Sequence, residues 1–255
     1  MTNTDDGGKR ISSVERSFAV IEELHGADPM RIDDVADRLD MPRSTAHVHL
    51  KTLESVGYVV RDQDGYRLGL RFLRNGVTVR EQVGLYDQAR TNVDELAEET
   101  GEVASLGVEE GKQRVILYQA EGTNAVYDNA PIGEYTEMHW TALGKAILAE
   151  RPSEFVERYL NEFGLPKGTE NTITDRDRFR TELEETRNRE FALEDEERRK
   201  GIRSVAAPII VDSEAVGAIS LSGPRERFDD ERIHDDLVPI LKDMSNIIEV
   251  KCAYE

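Results

Sequence analysis

The sequence of 255 residues predicts an α+β protein in two parts, and three observations carry that expectation. Residues 11–69 read as three short helices, with a tight turn before the third, and then a two-stranded hairpin. Residues 70–98 read as a helical linker. Residues 99–255 interleave strands with helices and close on an antiparallel hairpin, the pattern of a sheet flanked by helices. Residues 1–10, MTNTDDGGKR, have no apolar core and are expected to form a disordered tail without a secretion signal.

Taken in order, Ser13 is a candidate cap for a first helix, whose stripe is Val14, Phe18, Ile21 and Leu24. His25-Gly26 and Pro29 end it. A second helix follows Ile32, with Asp33-Asp34 as the cap and Val35, Ala36 and Leu39 inward. After the turn Asp40-Met41-Pro42 a third helix starts beside proline, whose missing N–H costs nothing there. Ala46, Leu50, Leu53 and Val56 are its expected buried edge, and Gly57 stops it. Tyr58–Arg61 and Gly65–Gly69 are strands, with Asp64-Gly65 as the turn cue. Gly76 and Gly84 are expected to bend or break the linker. Strands are predicted at Val103–Val108, Val115–Gln119 and Val126–Asn129. Helices are predicted around Leu143–Leu148, Ser153–Phe163 and Asp175–Asn188. The clearest hairpin joins Ser204–Val211 to Val216–Ser222. A last helix runs from Asp229 to about Val250, with Leu237, Leu241, Met244 and Ile248 inward.

Charge is unevenly spread. The chain has a net charge of −19, yet residues 1–80 hold 12 basic and 13 acidic side chains. The remaining residues carry −18. A solvated acidic face accounts for this in the simplest way. A high-salt cytoplasm and a need for the first third to approach phosphates account for it too, and are compatible with each other. The single cysteine, Cys252, excludes an internal disulfide and a cysteine-based zinc site, as suits a reducing cytoplasm. No apolar run approaches the length of a membrane span.

The third helix is the informative one. From Met41 to Thr52 it holds no carboxylate. At 100° per residue, Ser44, Val48, Lys51 and Ser55 face away from the buried edge, flanked by Thr45, His47 and Thr52. Short donors and acceptors with Arg43 and Lys51 suit base edges and phosphates, as expected of the second helix of a helix-turn-helix in the major groove. The hairpin is then a wing, with Arg61 and Arg67 beside its tip. An ordinary three-helix domain used for protein contact fits the same spacing. His47 and His49 point about 200° apart, so they do not chelate one metal.

Several longer segments resemble the IclR family of bacterial and archaeal transcriptional regulators. In the first half they are SVERSFAVIEEL, IDDVADRLDMPRSTAHVHLKTLESVGYV and GYRLG. In the second they are HWTALGKAILAERP, RFRTELEETRNREFALEDEERRKGIRSVAAPI and VGAISLSGPRERF. The resemblance spans nearly the whole chain, and with the acid surplus it suggests a halophilic archaeon. It implies a winged helix-turn-helix domain (11–69), a connecting helical region (70–98) and a GAF-like effector domain (99–255). It also implies dimers or dimers of dimers on palindromic double-stranded operators, and a small organic-acid or sugar-derived effector controlling a catabolic operon.

Carried over residue by residue, the resemblance places the effector against Met138, Ala142, Leu143 and Gly144, then Glu194, Ser204, Ser220 and Ser222. Thr141 and His139 lie in the same segment. The residues fit that role: Ser220 and Ser222 share one strand face, and Gly144 can open a helix N-terminus. Equally, ALGKA reads as a tight helix-strand joint and the serines as satisfied strand hydroxyls. Three positions depart from the family pattern. Glu190-Phe191 stands where a glycine-aromatic pair is usual, Ser204 where cysteine is common, and Trp140 where a small residue is common. An indole there either narrows the pocket or stacks on a ligand. No G-x-S-x-G, H-E-x-x-H or Gly-rich phosphate loop occurs, so neither an enzyme nor a cofactor is expected. A hydrolase using Ser, His and Glu, and an interaction module without DNA binding, are the rival readings.

Overall fold

The computed structural model describes residues 10–126 and 130–254. The expected tail lies outside the described residues except for Arg10. So does the strand expected at 126–129 except for Val126, which belongs to no strand. The chain forms two compact units, Met1–Gln82 and Val83–Glu255.

In the first unit α1 (Ser12–Leu24), α2 (Ile32–Arg38) and α3 (Arg43–Ser55) precede the hairpin β1 (Val59–Arg61) and β2 (Tyr66–Leu68), and α4 (Arg71–Gln82) closes the unit. The helix α1 begins two residues earlier than expected, with Ile11 at the cap and Ser13 inside the first turn. Its buried edge also differs: Val20 and Leu24 enter the core, while Val14 and Phe18 are exposed. The reason is the partner surface. Helix α3 presents Ala46, His49, Leu50 and Leu53, and Ser17 turns inward to meet the His49 ring at 2.9 Å. In α2 only Asp34 serves the helix start, accepting from the Arg31 N–H at 3.0 Å.

Pro42 caps α3, and Ala46, Leu50 and Leu53 are buried as the periodicity requires. Val56, expected inside, is the C-cap and is exposed. Gly57 terminates the helix at φ +79° while the Tyr58 N–H returns to the Leu53 carbonyl. The wing pairs Val59 with Leu68 through Arg61 with Tyr66. Met30 adds an isolated bridge to Tyr66. That bridge explains Gly65: a Cβ there would lie 2.5 Å from the Met30 carbonyl oxygen.

The helical region 70–98 is not one linker. It divides at Val83-Gly84, and Gly76 lies undisturbed inside α4, a helix with no buried residue. The second piece, α5 (Leu85–Thr100), buries Leu85, Tyr86, Ala89, Val93, Leu96 and Ala97 in the second unit. It is core rather than connection because its apolar positions recur every three to four residues.

The second unit is built on an antiparallel six-stranded sheet of order β5-β4-β3-β8-β7-β6. The strands are β3 (Val103–Glu110), β4 (Gln113–Glu121), β5 (Tyr135–Thr136), β6 (Ala192–Asp195), β7 (Ile202–Val211) and β8 (Glu214–Pro224). β5 and β6 were not anticipated; two and four residues carry too little alternation to be seen. One face packs on α5 and α10 (Val238–Ala253), through Leu106, Val205, Ile219, Leu221 and Leu241. The other packs on α6 (Ala142–Ala149), α7 (Ser153–Phe163) and α8 (Arg176–Arg189). This three-layered α+β arrangement, a sheet between two helical layers, is compatible with a GAF-like fold. The last helix is interrupted: a turn at α9 (Asp230–Arg232) and a π-helical turn at Ile233–Leu237 precede α10, where Pro239 withholds an N–H.

Leu50 is fully buried between the helices of the first unit. Leu50→Ala should lower that unit's stability by about 2–5 kcal/mol, the usual range for a truncated core leucine. Urea denaturation followed by circular dichroism measures the shift.

Candidate functional site

The outward face of α3 is open. Arg43, Ser44, His47, Val48, Lys51 and Thr52 are exposed and Thr45 is partly so; Val48, an apolar residue, is 61 % accessible. His49 points the opposite way, into the core, as the 200° separation from His47 demands. The cations on this face are held by acids of the same unit. Arg43 Nε lies 3.1 Å from Asp33 Oδ1 of α2. Lys51 Nζ lies 2.7 Å from Glu54 Oε2. Arg67 Nε lies 3.3 Å from Asp62 Oδ2. Arg61 sits over the Tyr66 ring at 5.5 Å. Hydroxyls turn back as well: Thr52 Oγ1 donates to the Val48 carbonyl at 2.7 Å and Ser55 Oγ to the Thr52 carbonyl at 2.7 Å.

Asp62 organises the wing tip. Its Oδ1 accepts the N–H groups of Asp64 at 3.0 Å and Gly65 at 3.1 Å. Those bonds, the Asp64 one first, hold its carboxyl below the usual carboxylate range. The wing therefore carries Arg67 on a fixed turn.

A second candidate site lies in the other unit, on the sheet face under α6. Strand register builds it. Glu194 pairs with Ser204, and Ser204 with Ser222. In the next row Gln119 pairs with Ser105, and Ser105 with Ser220. Side chains repeat every second residue, so the two rows of polar groups point to the same layer. They line a cavity of about 30 Å³ together with Arg114, Thr141, Ala142, Leu143 and Arg198.

Six of the eight residues expected around an effector therefore meet here: Ala142, Leu143, Glu194, Ser204, Ser220 and Ser222. Met138 and Gly144 do not. Met138 is fully buried, and its N–H and that of His139 donate to the Tyr159 hydroxyl. Gly144 is a packing joint: a Cβ there would lie 2.2 Å from the Met138 carbonyl oxygen. Its N–H is taken by Thr141 Oγ1 at 3.0 Å, which caps α6. His139 is fully buried between Tyr159 and the Pro166 carbonyl, and burial pushes its ring pKa down. Trp140 neither narrows the cavity nor lines it; its indole donates to Thr136 at 3.1 Å and packs on Gly168. Ser105, Arg114, Gln119 and Arg198 were missed. Three of them stand on strands adjacent only in space, and no local spacing signals that.

Within the cavity Ser204 Oγ donates to Glu194 Oε2 at 2.5 Å and the Arg198 N–H to Glu194 Oε1 at 3.2 Å. Burial pushes the Glu194 carboxyl up to about 7, against the pull of Ser204, Arg198 and Lys145. Lys145 is a buried residue of α6 itself, 2.6 Å from Glu197 and 3.6 Å from Glu182. The departure at Glu190 also has a physical setting. This residue ends α8 in the left-handed region, φ 63° and ψ 21°, where glycine is unstrained. Lys242 Nζ holds it by its carboxylate at 2.7 Å and by the Arg189 carbonyl at 2.9 Å.

Sequence comparison follows the same division. The IclR helix-turn-helix domain matches residues 13–63, and the C-terminal domain of the bacterial transcriptional regulator IclR matches residues 77–250. Over 232 residues the chain is 34 % identical to the HTH-type transcriptional regulator BhcR of Paracoccus denitrificans, covering 90 % of this chain and 82 % of that protein. Over 248 residues it is 30 % identical to the "Probable HTH-type transcriptional regulator ArcR" of Halobacterium salinarum, covering 95 % and 94 %. An IclR homologue from Microbacterium hydrocarbonoxydans, solved with 4-hydroxybenzoate, shares the fold with a TM-score of 0.81 at 22 % identity, over 94 % of this chain and 98 % of that one.

A raised acid pKa ties the fold to pH. The neutral carboxyl of Glu194 favours the folded chain fully below its ordinary 4.5, and that contribution is lost as pH rises through about 7. Glu197 and Glu249 are shifted the same way by burial, so the comparison must be with Glu194→Gln. Relative to that variant, the wild type should lose on the order of 3 kcal/mol between those two pH values. Chemical denaturation at a series of pH values reads it; parallel curves for the two proteins would refute it.

Proposed function

The chain belongs to the IclR family of transcriptional regulators, and from that premise we propose how its two units divide the work. It is a DNA-binding regulator and not an enzyme, as its family is. Helix α3 enters the major groove of a palindromic operator, with Arg43, Ser44, Thr45, His47, Val48, Lys51 and Thr52 towards bases and phosphates. Arg61 and Arg67 on the wing meet the neighbouring backbone. Two copies place their helices on half-sites about one helical turn, or a multiple of it, apart. A small organic acid or sugar-derived effector in the cavity under α6 favours one arrangement of the copies, and the coupling alters operator affinity. The 4-hydroxybenzoate in complex with the Microbacterium homologue is a small organic acid of this kind. The regulated genes form a catabolic operon. The net charge of −19 and the likeness to a Halobacterium protein support a salt-rich cytoplasm as the setting.

The observation that carries the DNA reading is the open α3 face. In a chain with 52 acidic residues, residues 41–53 contain none, and Ser44, Val48 and Lys51 are exposed rather than packed. Fluorescence anisotropy on a palindromic fragment from upstream of the gene, across a salt series, tests it. Arg43→Ala with Lys51→Ala should lower the slope of log K against log salt by about 2. An unchanged slope and affinity would remove α3 from the interface.

The acids paired with these cations give a second test of opposite sign. Asp33→Asn frees Arg43 from its partner and removes a negative charge beside the phosphates. Operator affinity should rise by up to about fivefold, the scale of an exposed ion pair. Weaker binding would mean that Asp33 orients Arg43 rather than competing for it.

A further inference from the structure

We propose that Val48 makes this protein a reader of thymine: its side chain, with the methyl group of Thr52 beside it, packs on the C5-methyl of a thymine in each half-site of the operator. The inference rests on reading α3 as the recognition helix, and deepens it by naming a base.

Short donors and acceptors surround Val48 in the sequence, and the hydrogen bonds within α3 narrow that set. Thr52 Oγ1 donates to the Val48 carbonyl and Ser55 Oγ to the Thr52 carbonyl, both at 2.7 Å. Lys51 Nζ donates to Glu54 Oε2 at 2.7 Å. Three polar side chains on the turns after Val48 are therefore committed within the helix. The group that Thr52 has left to offer is its methyl. Val48 itself is 61 % accessible, in the middle of a 13-residue helix. At 100° and 1.5 Å per residue, Val48 and Thr52 lie about 40° and 6 Å apart, so the valine and the threonine methyl form one apolar strip.

Single exposed apolar residues are common and need no partner. Setting and chemistry distinguish this one. It lies within residues 41–53, which hold no carboxylate, and between the cations Arg43 and Lys51. An apolar protein surface would meet one valine ringed by the exposed Ser44, His47 and Lys51. A polyanion with methyl groups in its groove meets a methyl contact with cations around it. Valine is also stiff in a helix, with one strongly preferred χ1, so its methyls are already placed and little freedom is lost on contact. It has no hydrogen-bonding group. In the major groove the thymine methyl is the one apolar group, whereas guanine, adenine and cytosine present donors and acceptors. Packed on those, Val48 would take water from a polar edge and return nothing. Selection therefore works twice, by gain on thymine and by loss on the other bases.

Uracil differs from thymine only by lacking that methyl and keeps the same hydrogen bonds. The fragment from upstream of the gene, amplified once with dTTP and once with dUTP, is therefore the discriminating pair. Amplified DNA holds no methylated cytosine, so any difference belongs to thymine. By fluorescence anisotropy the full chain should bind the thymine fragment more tightly by about fourfold for each half-site, the worth of one buried carbon, and so by about tenfold or more for the pair. Val48→Ser, a substitution on an exposed position, should bring that ratio close to one, by weakening binding to the thymine fragment and leaving the uracil fragment nearly as before. Thr52→Ser, which keeps the hydroxyl and deletes the methyl, should lower the ratio by less. The cycle of variant against base isolates the contact from any change in DNA shape that uracil brings. Equal binding of the two fragments by the wild type, or a ratio that Val48→Ser leaves unchanged, overturns the proposal while α3 remains the recognition helix. Binding to neither fragment at any salt concentration overturns the DNA reading and this inference with it.

Discussion

The register of the six-stranded sheet is the constraint on which the second unit depends. Glu194, Ser204 and Ser222 form one row across β6, β7 and β8, and Gln119, Ser105 and Ser220 form another across β4, β3 and β8. A slip of one residue on any strand would send its polar group to the apolar face against α5 and α10. The alternation that keeps Val205, Ile219 and Leu221 in that core is therefore the same alternation that assembles the cavity. Hydrophobic burial supplies the force, and the polar rows follow from it.

The first unit faces the converse problem, which is to keep cations available in an acidic protein. Its answer is pairing in place. Asp33, Glu54 and Asp62 each hold one cation of the exposed face, all at partly or fully exposed positions where ion pairs are weak. An exposed pair yields readily to a phosphate, while in free solution it lowers the attraction for unrelated polyanions. Were such a cation to turn to a phosphate, the released carboxylate would gather salt cations as the polyanion shed its own, and the two ion movements would oppose each other.

Legibility in the sequence tracked how local the determining interaction is. Helix α3 was readable because its period, its proline start and its lack of acids all lie within one segment. The wing was readable from Asp64-Gly65, although the need for glycine comes from the approach of Met30 as well as from the turn. The buried edge of α1 was misread because Val14 and Phe18 are as apolar as Val20, and only the surface of α3 decides among them. Half of the presumed linker proved to be core, since a periodic helix looks the same whether it joins two units or packs in one. In the candidate cavity, serines on one strand could be foreseen. Arg114, Ser105 and Gln119 could not, because strands β3 and β4 reach the site through pairing that spans more than a hundred residues. Gly144 and Met138, marked by resemblance as ligand contacts, lie outside the cavity lining and pack against each other at the start of α6.

That seating is unusually close. Gly144 approaches the Met138 backbone with no room for a methyl group, and Gly107 on β3 brings the Leu143 side chain within 2.9 Å of where a Cβ would stand. Helix α6 is thus held at two glycines, against the sheet at Gly107 and against its own leading segment at Gly144, and little of its surface can change without lifting it. The strands offer the opposite freedom, since Ser, Cys, Gln or Arg can be exchanged at a row position while the backbone pairing persists. A lineage built on this frame can acquire new chemical tastes by altering wall residues one at a time, and keep the same lid throughout.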